Sequence, residues 1–195
     1  MYACRKNDGK SIWLRGYKHN LGFSAFPASR TDEAMEKVRK LYPRLLRRDS
    51  VLATGASNTN TTVHIPIMLF NIRNVEAKVD MLFYRECLSP AIGKFVEAMD
   101  EERMSLARTG HFDLQDVKQL SLSWYGHQGA RGDTFWEIQA NNPIYPTSKL
   151  PTDKNNRYLT EDVPYGLIPL IELLDLFGLP HPTLDAALRT ACIFC

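Results

Sequence analysis

Apolar positions along this chain change rhythm after the first quarter. Near the start, SIWLRG and LGFSAFP are strand-like and YKHN between them is turn-like; Leu21, Phe23 and Ala25 alternate with Gly22, Ser24 and Phe26 in a weak period of two. Two short strands do not make a stable sheet alone. They read as the edge of something larger, without partners inside the chain. Ser29 and Thr31 offer caps for a helix through DEAMEKVRKLY, with Ala34, Val38 and Leu41 on its buried face and Pro43 as its stop.

After Pro43 the period is helical. In SPAIGKFVEAMDEERMSLARTG, Ser89 caps, Pro90 fits the first helical position and Gly110 the position just past the end. Ile92, Phe95, Val96, Met99 and Leu106 form its apolar stripe. Asp113 is the expected cap of a second helix, with Leu114, Val117 and Leu120 inward. Further helices are expected over TFWEIQAN, over LIELLDLFG up to Gly178, and after Pro182, where Leu184, Leu188 and Cys192 recur at i, i+4, i+8. TSKLPTDKNN reads as a surface loop.

Composition narrows the class. The chain has 195 residues, 44% hydrophobic and 24% charged, with a formal net charge of +2. That suits one globular domain with an attachment, able to bury roughly 70% of the surface its unfolded form exposes. The basic excess is too small to argue for nucleic acid. No apolar run reaches the ~20 residues that span a bilayer, and MYACRKNDGK lacks the apolar core of a signal peptide. Cys4, Cys87, Cys192 and Cys195 show no framework spacing, so a reducing, cytoplasmic setting is expected.

Candidate chemistry is sparse. GHQGARG has its glycines in the spacing G-x-x-G-x-x-G after a helical pattern, and no G-x-G-x-x-G occurs in the chain. A dinucleotide fingerprint needs strand, tight turn and helix, so a plain loop is expected there. CIFC, at residues 192–195, has redox-pair spacing and also fits a prenylation frame. It falls at the end of a helical pattern, where nothing lowers a thiol pKa, so neither role is expected. No metal site is expected. His64 stands in SNTNTTVHIPIMLFN, between the amides of Asn58 and Asn60 and an apolar run. It is either a helix-start histidine bonded to backbone, or an acid, base or carbonyl polariser at the border of the core. RYLTEDVPYGLIPL sets Arg157, Glu161 and Asp162 directly before an apolar segment flanked by Pro164 and Pro169. Asp162 could cap a helix and Arg157 could pair with Glu161. Alternatively, a kinked start holds polar groups rigidly over a core, and arginine's planar fork suits a carboxylate ligand.

These residues carry a resemblance. RYLTEDVPYGLIPL followed by LFGLPHPTLDAAL closely resembles the second domain of the opine (octopine) dehydrogenase family, with its R-Y-x-T-E-D-V-P-x-G-L pattern. NTNTTVHIPIMLFN resembles the family's N-x-N-x-x-x-H-P segment, with Ile65 where proline is usual, and FYRECLSPAIGKFVEAMDEER resembles a stretch ending E-x-x-D-x-E-R. The resemblance covers about residues 1 to 190. It implies a mainly α fold: an all-helical domain like the C-terminal domain of 6-phosphogluconate dehydrogenase over 46–195. Residues 1–45 would be the last strands and a helix of a truncated NAD(P)-binding Rossmann domain. It implies an oxidoreductase that uses NAD or NADP to reduce the imine formed from an amino acid and a 2-oxo acid. His64 would polarise the oxo group and shuttle a proton, Asp162 would orient His64, Arg157 would bind a substrate carboxylate, and Asn60 would lie on the substrate side. His64 and Asp162 are therefore expected within hydrogen-bonding reach, with Arg157 nearby. The missing glycine fingerprint implies a fragment or short gene product that does not bind dinucleotide alone. The rival is a non-catalytic interaction module that kept the helical fold.

Overall fold

The structure, a computed structural model, describes residues 2–6 and 8–194. Strands β1 (Tyr2–Lys6) and β2 (Ile12–Tyr17) form an antiparallel hairpin. Strands β3 (Leu21–Phe23) and β4 (Leu45–Arg47) pair in parallel. Helix α1 (Thr31–Arg39) makes the crossover that a parallel pair requires. The rest is helical: α2 (Val51–Ala56), α3 (Asn60–Phe70), α4 (Ile72–Glu76), α5 (Pro90–Arg108), α6 (Val117–Tyr125), α7 (Phe135–Ala140), α8 (Arg157–Thr160), a π-helical turn (Val163–Leu167), α9 (Ile168–Leu176) and α10 (Pro182–Phe194).

Helix α3 is the axis of this assembly. Residues Thr61 through Leu69 are all buried, as expected of a helix that is apolar on every side. Helices α5, α8 and α10 and the π turn pack around it. Each fully buried Ile, such as Ile65 or Ile67, contributes about 1.5–3 kcal/mol.

Helix α5 orients three others through the carboxylates of EAMDEER. Glu97 accepts from the Phe135 N–H that starts α7 (2.7 Å), and Asp100 from the Val117 N–H that starts α6 (2.7 Å). Glu102 accepts from Thr183 and Leu184 in the first turn of α10 (2.8 and 2.9 Å). Helix N-termini leave such N–H groups unpaired and favour negative charge. Arg103, fully buried, closes the arrangement on Asp100 (2.8 Å) and on the carbonyls of Ala56 (2.9 Å) and Gln115 (2.6 Å).

Several expectations need correction. The early strands do have partners: β1, which the pattern did not reveal, and β4, which lies in the stretch read as helical. The hairpin also packs on the helices. Gly16 is buried so closely against Ile144 that a Cβ there would collide with it. Ala3 joins a small core of Tyr125, Ala130 and Ile144. The hairpin's outer surface, with Ile12 and Leu14, stays exposed. In α1 the buried residues are Thr31 and Met35, and Leu41 is exposed, because the helix ends before it. No side chain caps α1; the Thr31 hydroxyl accepts from the Ala25 N–H instead. Asp116, not Asp113, caps α6, in a capping box with Gln119; Asp113 pairs with Arg48. On α10 the buried stripe is Leu184, Ala187 and Ala191, while Cys192 is exposed. Its CIFC partner Cys195 lies outside the described residues. The expected loop at 147–156 is surface only in its second half: Ser148 and Leu150 are buried, bonded to the backbone of Phe83 and Met81. Among the described residues no helix is long and apolar enough to cross a membrane.

Candidate active site

Helix α3 carries the first half of the site. Asn60 opens it and His64 lies one turn on, at i+4, so both project from one face. The Asn58 side chain accepts from the Asn60 N–H (3.2 Å) and shapes the approach to the helix. Helix α8 carries the second half. Asn156 caps it by accepting from the Tyr158 N–H (3.1 Å). Tyr158 and Asp162 are again i, i+4. The Tyr158 ring stacks on the His64 imidazole, with centroids 4.0 Å apart and planes at 28°. The Asp162 carboxylate meets its Nδ1.

Both ring nitrogens of His64 are occupied. Nδ1–H donates to Asp162 Oδ2 at 2.7 Å, since a carboxylate only accepts. Nε2 is then an acceptor, and the Tyr84 hydroxyl donates to it at 2.9 Å. Phe83 adds its ring edge-on at 5.8 Å. His64 is only 6% exposed. That burial pushes its pKa below the ordinary 6.5; the Asp162 hydrogen bond and charge oppose the shift, and Arg157 and Arg5 add to it. Burial, followed by the neighbouring Tyr158 and Tyr145, holds Tyr84 well above the usual tyrosine value. The result is a neutral imidazole of fixed tautomer, able to accept a proton through a neutral phenol and to hold it against a carboxylate.

These groups border a chamber of about 920 Å³. Asn60, His64 and Arg157 all line it, together with Tyr84 and Tyr158; Asp162 stands behind the imidazole. All four sequence-derived site residues are thus brought together, although His64 and Asp162 are 98 positions apart. Among the described residues no Arg157–Glu161 ion pair forms, and Asp162 makes no cap bond to the following turn. The π turn passes close to α3 because residue 166 is glycine: a Cβ there would run into Thr61 Oγ1.

Sequence reasoning missed four contributing residues. Tyr84 lies in FYREC, quoted for the resemblance but without a role. The hairpin supplies Arg5 and Arg15 to the chamber wall. The wall also takes in Lys18, whose ammonium sits 3.2 Å over the Trp124 ring and whose pKa burial lowers to about 8. Among the described residues no cluster of three or more His, Cys, Asp or Glu could hold a metal ion.

Residues 47–195 match the family described as NAD/NADP octopine/nopaline dehydrogenase, alpha-helical domain. An opine dehydrogenase of Arthrobacter sp. (strain 1C) is 29% identical over 188 residues, which is 96% of this chain and 52% of that protein. The solved structure of octopine dehydrogenase with NADH and L-arginine superposes with a TM-score of 0.74 at 22% identity, over 97% of this chain and 53% of that one. The same enzyme with NADH and pyruvate gives 0.74 at 23% identity, over 97% and 52%. The chain spans about half the length of the relatives it matches. With the family's helical-domain pattern running through more than half its length, the chain belongs to the octopine/nopaline dehydrogenase family.

Proposed function

We propose that this chain is the substrate-binding and proton-transferring part of an opine-dehydrogenase-type oxidoreductase, which condenses an amino acid with a 2-oxo acid and reduces the product. The observation that supports this most is the Asp162–His64–Tyr84 chain of hydrogen bonds ending at a chamber that Arg157 also lines. The family match and the superposition on a relative whose structures hold L-arginine or pyruvate support it further. The division into a Rossmann remnant over 1–45 and a substrate domain over 46–195 belongs to the same reading.

Arg157 binds a carboxylate through its planar fork, and Asn60 offers amide contacts beside it. An amine attacks a carbonyl only when unprotonated. Neutral His64 takes the ammonium proton through the Tyr84 hydroxyl, and Asp162 stabilises the imidazolium so formed. The same proton returns to the carbinol oxygen, which leaves as water. The described residues do not fit a dinucleotide site: the glycines of 126–132 follow α6, not a strand, and lie in a turn and loop.

Calorimetric titration of the 195-residue chain with an N-(carboxyalkyl)amino acid tests the proposal. Saturable binding is expected, weakened about tenfold or more in Arg157→Met. Failure of every such compound to bind would leave the interaction-module reading in its place.

A further inference from the structure

A second cavity, of about 210 Å³, lies between β3, α2 and α6. Neither His64 nor Arg157 lines it. Its described lining holds two cations, Lys18 and Arg48, and no Asp or Glu. Lys18 stands between the two spaces and lines both. Its ammonium rests over the Trp124 ring, and burial alone lowers its pKa, with no neighbouring acid to oppose the shift. An aromatic face holds an ammonium in place but leaves its charge uncompensated by any anion.

Arg48 is only 8% exposed. Its Nη1 donates to the carboxylate and the carbonyl of Asp113, and that ion pair neutralises its charge. Its Nε is buried and has no partner among the described residues. Gly22, also on the cavity wall, lies against this nitrogen: a Cβ there would stand 3.3 Å from it. A buried N–H left unpaired is costly, and native proteins supply such groups with a protein, water or ligand partner. Asn58 adds another donor, because its side-chain oxygen already accepts from the Asn60 N–H. Leu21, Leu120 and Trp124 make the wall partly apolar. One uncompensated positive charge, spare N–H donors and an apolar wall are complementary to a monoanion with an apolar body.

We propose that this cavity is a binding site for a small monocarboxylate, with the Lys18 ammonium and the Arg48 Nε–H as partners of the carboxylate and Leu120 and Trp124 against its apolar body. The site does not depend on the opine reading, since the residues that carry that reading line the other space. A phosphate dianion would keep a charge that Lys18 alone does not balance, and it offers nothing to the apolar wall.

The test titrates the 195-residue chain at low salt with isobutyrate, its neutral isostere isobutyramide, and inorganic phosphate. Tryptophan fluorescence and calorimetry read the binding. Isobutyrate is expected to change the fluorescence saturably and to bind about tenfold or more tightly than either of the other two. Trp124→Phe should lose the fluorescence change, which places the ligand beside that ring. Lys18→Met should weaken isobutyrate about tenfold or more, to the level of the amide, while Lys18→Arg, which keeps the charge, retains the preference. Arg157→Met should leave isobutyrate binding unchanged. Equal binding of acid and amide in the unaltered chain overturns the proposal without recourse to any variant. So does the absence of saturable binding. Phosphate binding as tightly as isobutyrate overturns the carboxylate assignment. Loss of isobutyrate binding in Arg157→Met places the ligand in the chamber, overturns this site and spares the opine reading.

Discussion

His64 uses both ring nitrogens inside the protein, and that governs its response to acid. Its folded pKa lies below 6.5 because burial disfavours the imidazolium more than Asp162 favours it. The unfolded chain titrates near the ordinary value. Between the two, the unfolded state holds a proton that the folded imidazole refuses, so stability falls as pH drops through about 6.5 and below. The melting temperature should fall between about pH 7.5 and pH 5.5, and fall less in His64→Gln. Identical slopes in the two proteins would show that His64 is not the source. Tyr84→Phe keeps the ring packing against Phe83 and Tyr145 and removes the hydroxyl at Nε2. It should fold, and nitrogen NMR of histidine-labelled protein should show the His64 Nε2 resonance displaced toward that of an acceptor nitrogen without a donor, with little change in opine affinity. An unmoved Nε2 resonance would remove Tyr84 from the proton path. Residue by residue, the sequence displayed Arg157, His64 and Asp162 through their neighbours. Tyr84 and Arg15 carried no such mark, because their roles come from contacts 20 and more than 130 positions away.

Among elements, local chemistry was the readable part. Ser89, Pro90 and Gly110 mark the ends of α5, and the structure has the cap bond, the proline at the start and a φ of +78° at Gly110. Thr134 and Gly178 bound α7 and α9 in the same way. Partners set by long-range packing were not readable, which is why β1 and β4 were missed and Leu41 misplaced. The π turn shows both sides. Pro164 and Pro169 announced an irregular start to α9, but not the wide turn itself or its approach to α3. Gly166→Ala puts a methyl group into Thr61 Oγ1 on α3. Relief requires the Thr61 hydroxyl to leave its rotamer or α3 and the π turn to part, at a cost of about 1–3 kcal/mol. The Asp162–His64 bond ties α3 to the residue just before that turn and should loosen with it. Unchanged chemical denaturation of Gly166→Ala would contradict this account of the approach.

At the scale of the whole molecule, the N-terminal segment is the revised part. The pattern suggested a sheet edge without partners inside the chain. In the structure the hairpin covers Tyr125 and Ile144 and lends Arg5 and Arg15 to the chamber. Removing residues 1–45 should therefore lower the melting temperature by about 5 °C or more and promote aggregation. A truncated protein that melts as high and stays monodisperse would restore the earlier view. The helical architecture itself was legible as a whole, because caps, stops and apolar stripes agreed along most of its length.

The His64–Asp162 pair at the edge of the chamber is the centre of the proposed site. Nitrogen NMR of histidine-labelled chain observes that imidazole directly, with and without a saturating N-(carboxyalkyl)amino acid. The account predicts a neutral ring protonated on Nδ1, its Nε2 resonance displaced by ligand, and loss of the tautomer preference in Asp162→Asn. A His64 ring whose resonances stay unmoved at saturation, or which carries its proton on Nε2 in the free protein, would contradict it.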